Sequence, residues 1–411
     1  MRSMSLYLDD ARIGRFRPEA RRLHQGFVEL FGDTPCAPEL KSFLIDGVQG
    51  GDSYNKKLLE DLEDWRGLEY FKSELVREIG DASERNVVLA SRSRSLMRLG
   101  MRMLFRNCRR CLTVDLCWPT YKCDLAQCAQ LMGGDIVAVP LRANILDWQW
   151  DIDEVCKHIA SAYVRHRCDG IMLPAVDSTG ILLPISRIVE ELRRVGGQPF
   201  VLIDAAQALG QVDLANLSGI ADFLVTGTHK WVGSYFPLGV GMACNPNSQP
   251  WISNCVRSMV SGADLDDGLL RFAIEIENSI DVQRPETINL GPLFSGCGAW
   301  QDTLPAKDSL PIRKRNADAI AATSESIGWA ALRPNVALRT GTLLLQSLSP
   351  DIRSMSPEQL AERFSQHGVQ LTVYPHGIVR MAMPDTDFDP AQLVKIADVL
   401  KEIDRKVLLS C

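Results

Sequence analysis

Between about Glu84 and Cys244 the chain alternates two patterns. Short apolar runs occur at Asn86–Ala90, Leu112–Leu116, Asp135–Val139, Gly170–Leu173, Pro199–Asp204, Asp222–Thr226 and Gly239–Cys244. Longer amphipathic stretches, such as Ser93–Arg106 and Ser186–Val195, separate them. Val, Ile and Leu dominate the runs, as expected for parallel strands covered on both faces. Strand–helix alternation of this kind predicts an α/β sheet. After Lys230 the pattern changes. Val282–Trp300 reads as irregular, with Pro285, Pro292 and three glycines. From about Asp308 a smaller α+β unit is expected. Its strands fall at Gly341–Ser347, Val369–Tyr374 and Ile378–Met383, and its helix at Pro390–Leu400, with Asp389 as N-cap.

The most informative segment is Val201–Cys244. An apolar run, VLID, ends in Asp204, and Gln207 follows. A second run, ADFLVTGT, delivers His229-Lys230, and Gly239-Val240-Gly241 closes the segment. A lysine at the end of a buried strand, near a buried aspartate, suits a Schiff base to pyridoxal 5'-phosphate, with the carboxylate keeping the pyridine nitrogen protonated. Taken singly, Lys230 also reads as a solvated strand-end lysine. Asp204 alone reads as a helix cap, and His229 as a core filler.

The order of these elements resembles the class V aminotransferase family of fold-type I pyridoxal-phosphate enzymes, which includes cysteine desulfurases, kynureninase and isopenicillin-N-epimerase-like proteins. The family pattern, D-x-A-Q, D-F, H-K and a glycine-rich strand, is met by Asp204-Ala205-Ala206-Gln207, Asp222-Phe223, His229-Lys230 and Gly239-Val240-Gly241. With Trp231, the His-Lys-Trp form is most similar to the epimerase-like branch. The resemblance spans roughly Lys57 to Ile403. It implies a large cofactor-binding domain over 57–307 with a mostly parallel seven-stranded sheet, and a small α+β domain over 308–411. It also implies that an N-terminal segment, 1–56, packs with the small domain, and that the protein is a homodimer with shared sites.

The resemblance also assigns roles. The cofactor phosphate is expected at the turn Ser91–Ser95, with Ser93 as hydroxyl and Arg94 as backbone donor; a plain capped helix start has the same geometry. Desulfurase-like members carry a second hydroxyl three residues before the lysine. Gly227 stands there, which leaves Thr226 or Thr228, with Thr228 preferred. Thr287, in ETINLG, matches a threonine lent by the partner subunit. Trp118 is expected against the ring, with Tyr121 as the alternative; a core tryptophan is the other reading. Gln207 is expected at the ring oxygen. Asp177 stands where desulfurases have asparagine, a costly change near an anion unless the carboxyl is protonated or paired; Ser178 or Thr179 are the alternatives. Arg380, in GIVRMAMP, sits among apolar residues and needs an anion, either a substrate α-carboxylate or a salt-bridge partner.

Desulfurases carry a nucleophilic cysteine before that arginine, but Gln366–Arg380 contains none. Persulfide formation is therefore not expected. His376 is the candidate acid–base group in that loop and Tyr374 a candidate substrate contact. The reaction expected is a lyase-type cleavage of a small α-amino acid or derivative in specialised metabolism. Transamination, epimerisation and decarboxylation are alternatives on the same scaffold. A non-catalytic homologue would need the lysine or aspartate erased, and both are present.

Composition narrows the classes. The 411 residues are 46% hydrophobic and 23% charged, with net charge −6, which argues against nucleic-acid binding. No run approaches the roughly 20 apolar residues of a membrane span, and the first residues have no apolar signal core. Twelve cysteines without scaffold spacing suggest reduced thiols in a cytoplasmic protein. Cys108-x-x-Cys111, with Cys117, Cys123 and Cys128 behind it, reads as a zinc site or as small buried apolar residues.

Overall fold

Each of the seven apolar runs is a strand of one sheet in the computed structural model, which describes residues 5–33, 40–51, 60–79, 87–217, 219–244, 248–262, 264, 267–278 and 288–408. A two-residue strand, β1 (Leu6–Tyr7), precedes them. The sheet comprises β2 (Val87–Ala90), β3 (Arg110–Val114), β4 (Asp135–Val139), β5 (Gly170–Pro174), β6 (Phe200–Asp204), β7 (Phe223–Gly227) and β8 (Gly239–Ala243). Their order is β2-β8-β7-β6-β5-β3-β4. Only β8 runs against its neighbours; the other pairs are parallel. Strands β2 and β5 to β8 are buried along their whole length, which is why they read as unbroken apolar runs. β3 stops earlier than its pattern predicts. Asp115 there donates its N–H to Val139 at 3.1 Å and turns its carboxylate onto the backbone N–H groups of Leu141 and Arg142, beyond which the pairing ends. Because β2 to β7 all point the same way, they all end at one edge of the sheet, where open α/β sheets bind ligands.

The smaller unit is built on β9 (Trp329–Leu332), β10 (Thr342–Ser347), β11 (Val369–Gln370), β12 (Thr372–Tyr374) and β13 (Ile378–Ala382). Four of these form an antiparallel sheet, β12-β13-β10-β9. Trp329, Leu345, Phe364, Val379 and Met381 fill its core. The single strand expected at Val369–Tyr374 is broken at Leu371. Its first half pairs with β1 and its second with β13. The last helix, Pro390–Leu408, is capped by Asp389, whose carboxylate accepts the Gln392 N–H at 2.8 Å while the Gln392 side chain accepts the Asp389 N–H at 3.0 Å.

Two expectations need correction. Part of Val282–Trp300 is a buried helix, Gly291–Gln301; residues 279–287 lie outside the described ones. Its glycines are contact points rather than breakers. A Cβ on Gly298 would sit 2.4 Å from the Glu19 carbonyl oxygen, and one on Gly296 2.7 Å from the Leu238 side chain. Gly298 lets helix Pro18–Asp33 lie directly on this one, and Gly296 lets it pack against Leu238. The N-terminal segment is accordingly divided. Leu6 and Leu8 join the small core, whereas Ala20, Leu23 and Phe27 join the large one. Residues 9–14 cross between the two units as a strap. The helix Ala306–Glu325 also spans both, with Leu310 on the large core and Ala317 and Ile320 in the small one.

Cys108 and Cys111 lie in the large core. Burial pushes the Cys108 thiol up to about 12. No described helix is long and apolar enough to cross a membrane.

Candidate functional site

A cavity of about 730 Å³ opens at the carboxyl edge of the large sheet. Asp204 ends β6, and His229 and Lys230 follow β7. Trp118 and Tyr121 follow β3, Arg92 and Ser93 follow β2, and Asp177 and Ser178 follow β5. Arg380 enters from β13, and residues 11–13 of the strap complete the lining.

The floor carries three titratable groups. Asp204 is 7% exposed, and one carboxylate oxygen accepts the Ala206 N–H at 3.0 Å. Burial pushes its pKa up, against the pull of that N–H and of Lys230. The Lys230 amine is pulled down to about 8, by burial first and by Arg380 second, although Asp204 opposes both. Desolvation outweighs the attraction between the pair. His229 is lowered to about 4, by burial and then by Lys230 and Arg92, so its ring is neutral at pH 7. Its Nδ1 is buried without a hydrogen-bond partner.

One end of the cavity is the start of helix Ser93–Asn107. Arg92 precedes it in extended conformation and gives no side-chain cap, so the first-turn N–H groups are not satisfied from that side chain. The turn leans on the sheet: a Cβ on Gly239 would lie 2.6 Å from the Arg92 carbonyl carbon and 2.7 Å from the Ser93 nitrogen. The Ser93 hydroxyl lies 3.2 Å from that of Tyr121. Arg94 turns its guanidinium away to a two-pronged pair with Asp124, both contacts at 2.8 Å. Asp267, which no spacing in the sequence marks, fixes the turn from behind by accepting the N–H and hydroxyl of Ser91.

Thr228 does not reach the cavity. It is fully buried and its hydroxyl is 2.8 Å from that of Ser234. Thr226 is also occupied, donating to the Ala205 carbonyl at 2.9 Å. Thr287 lies outside the described residues.

Trp118 is 48% exposed at the start of helix Pro119–Met132, so it is a wall of the cavity rather than a core residue. Gln207 ties the floor to the strap. Its Nε2 donates to the Ala11 carbonyl at 2.8 Å, and its Oε1 accepts the Trp231 indole N–H at 3.0 Å. Trp231 thereby fixes the orientation of the amide, and one N–H of Nε2 remains. Asp177 resolves its own charge. Its carboxylate accepts from Arg142, from the Thr179 N–H and hydroxyl, and from the Ile181 N–H. It organises its loop and has no lone pair in evident need of a ligand, and Thr179 is turned inward onto it.

Arg380 forms the roof and is 4% exposed. Nη1 donates to the Ser178 carbonyl at 2.8 Å, and Nη2 donates to Thr372 at 2.9 Å and to Asp9 at 3.1 Å. Its Nε is buried without a partner. His376 and Tyr374 are not brought to the cavity. Tyr374 pairs with Ile378 across the hairpin. His376 sits in the exposed turn beyond them with φ +64°, while Arg380 is two residues into the returning strand. Asp9, Asp267 and Arg142 are the residues that sequence reasoning missed, and each acts on a partner remote in the chain.

This arrangement places an amine of lowered basicity beside a buried carboxylate, with an uncapped helix start at one end and a guanidinium opposite. Residues 124–249 match the family model for aminotransferase class-V. No curated protein matches the chain by sequence. Among solved structures, the chain is similar to a cysteine desulfurase from Thermococcus onnurineus, with 12% identity, TM-score 0.69 and coverage of 98% of this chain and 95% of that one. It is similar to the cystine C–S lyase C-DES in complex with cysteine persulfide, with 14% identity, TM-score 0.69 and 97% of each chain covered. It is also similar to an alanine–glyoxylate aminotransferase from Nostoc sp., with 13% identity, TM-score 0.67 and coverage of 98% and 96%. Residues 124–249 thus match aminotransferase class-V, and the chain as a whole shares the fold of these solved enzymes.

Proposed function

We propose that the protein is a pyridoxal 5'-phosphate-dependent enzyme acting on the amino group of a small α-amino acid or derivative. The observation that carries this reading is a lysine amine brought down to about 8 on the same cavity floor as a buried carboxylate. The residues present fit the group. The uncapped start of helix Ser93–Asn107, the Ser93 hydroxyl and the Arg92 guanidinium offer a site for its phosphate. Asp204 offers an acceptor for a protonated ring nitrogen, and Trp118 a face for the ring. The remaining N–H of Gln207 is free for its polar edge. Bound there, pyridoxal phosphate supplies an electron sink for charge developing at the substrate Cα.

The chain's own residues then divide the work. Lys230 Nζ, with a substantial neutral fraction near pH 8, takes and returns the Cα proton. Arg380, in the roof of the same cavity, is the partner for the substrate's α-substituent. The strap and the small unit cover the cavity and keep bulk water from it. The favoured reaction is lyase-type cleavage, with transamination second. No described residue of the cavity lining is a cysteine, which supports a course other than persulfide transfer. A homodimer in the cytoplasm, with Thr287 lent between subunits, and a role in specialised metabolism complete the proposal.

The test is direct. Purified protein given pyridoxal phosphate is expected to develop a visible absorbance band. It is then assayed on a panel of amino acids with and without a keto-acid acceptor. Product formed without acceptor identifies the lyase, and product formed only with acceptor identifies the aminotransferase. Absence of any band at saturating cofactor overturns the proposal.

A further inference from the structure

The positive charge over the cavity is already balanced. Arg380 and Asp9 form a buried ion pair at 3.1 Å, with side chains 4% and 8% exposed. Thr372 bridges them: its hydroxyl accepts from Arg380 Nη2 at 2.9 Å and donates to the same Asp9 oxygen at 2.6 Å. The Ser178 carbonyl takes Nη1 at 2.8 Å. The strap holds Asp9 firmly, because Leu8 N–H donates to Gln370 and the Asp9 carbonyl accepts from Arg12 and Ile13. Arg380 lines the cavity, and its Nε is buried without a partner. The cations of the lining that face the opening, Arg12 and Arg92, are exposed and so are screened by solvent.

We propose that Asp9 is a specificity-determining residue of this site. By neutralising Arg380 it weakens selection for a substrate α-carboxylate and admits amino compounds whose α-substituent is an uncharged hydrogen-bond acceptor, such as a carboxamide or an ester. This rests on the reading above that the cavity handles the amino group of a small amino compound. A carboxylate brought to Arg380 also comes within one guanidinium's width of the Asp9 carboxylate. In an enclosed site the repulsion between those two anions offsets much of the attraction to the arginine. A neutral carbonyl oxygen accepts from the guanidinium without meeting that repulsion. Without Asp9, the same arginine would be a strong and selective carboxylate site.

The experiment is a spectral titration of the holoenzyme with L-alanine and L-alaninamide, both referred to the free-base amine. In the wild type the two dissociation constants are expected to agree within about threefold. Asp9→Asn keeps the side-chain oxygen and removes the charge. It is expected to tighten alanine by about tenfold and leave alaninamide unchanged. The double variant Asp9→Asn/Arg380→Gln removes both charges and is expected to return the ratio to the wild-type value. A wild-type preference for alanine of about tenfold or more overturns the proposal and needs no variant. So does unchanged or weaker alanine binding in a folded, cofactor-loaded Asp9→Asn protein, which would make Asp9 only an orienting partner of Arg380. Loss of the cofactor band in the wild type counts against the functional reading; an intact band with an unmoved ratio counts against Asp9 alone.

Discussion

Asp204 and Lys230 reach the floor of the cavity from neighbouring parallel strands, with Asp204 in register with Val225. Arg380, Asp9 and Ser178 meet in its roof from three segments spread across almost the whole chain. On the floor, strand order alone brings the two groups together, and each follows an apolar run. In the roof, placement depends on how the small unit docks and where the strap passes. The floor therefore holds a polar pair that desolvation keeps reactive, with Lys230 drawn down to about 8. The roof holds an arginine whose charge is spoken for by Asp9. If this contrast is right, changes to the floor act on chemistry and changes to the roof act on selection and docking.

The largest effect is expected at Lys230. Lys230→Ala should lose about 10⁴-fold in turnover or more, since it removes the general acid–base group and the covalent anchor together. Borohydride reduction of the wild type followed by peptide mapping should place the cofactor on Lys230, and an adduct on another lysine would remove it from the floor. A lysine whose folded pKa of about 8 lies below its ordinary value of 10.5 costs stability below pH 8, a cost that fades as pH rises toward 10.5. At pH 7 the apoprotein of the variant should melt no lower than the wild type.

Asp204→Asn comes next. It should lower the rate by about 10²–10³-fold while leaving the fold intact, the scale seen when a preorganised electrostatic contact is lost. It also sharpens the reading of the pair. Asp204 raises the lysine's pKa. Amine labelling of Lys230 in the apoprotein, half-complete near pH 8 in the wild type, should therefore shift to lower pH in the variant. A shift upward would mean the two groups are not coupled as described.

Gly14→Ala attacks the seam where the strap lies on the floor. The Gly14 N–H donates to the His229 carbonyl at 2.7 Å, and an added Cβ would lie 1.9 Å from the Lys230 carbonyl oxygen. The strap must lift, at a cost of about 1–3 kcal/mol. Melting should fall and protease cleavage within residues 5–17 should speed up, while borohydride still fixes cofactor to Lys230. Failure of cofactor to load would show that floor and roof are one unit. The smallest effect is expected at His376→Asn. Asparagine tolerates the left-handed backbone there, and the residue lies outside the cavity, so kcat/KM should change by less than about twofold. A larger fall would restore His376 as an acid–base group.

The same contrast explains what the sequence made legible. The strands, Asp204 and Lys230 follow from runs whose burial is decided locally, and Ser93 from a helix start directly after a strand. Thr228 failed because the orientation of its hydroxyl is set by Ser234, six residues on, after the chain has turned. His376 failed because closeness to Arg380 along the chain is not closeness across a hairpin. The buried helix Gly291–Gln301 was hidden because glycines that permit close helix contact look like breakers. Asp9 carried no local signal, since its meaning comes from a partner 371 positions away.

The pairing of Leu6 with Val369 also orders events in time. A ribosome releases the strap before its partner strand, so Leu6 and Leu8 wait without the core that later covers them while the chain between is made. Closing so long a loop adds little entropy cost, because that cost grows only with the logarithm of length. What the arrangement imposes is delay. The large sheet, with Asp204 and Lys230 on it, can form while the remainder is still being made. Arg380 meets its counter-ion only when the strap has found the small unit, so a nascent chain would acquire its reactive floor before it acquires any means of choosing what reaches it.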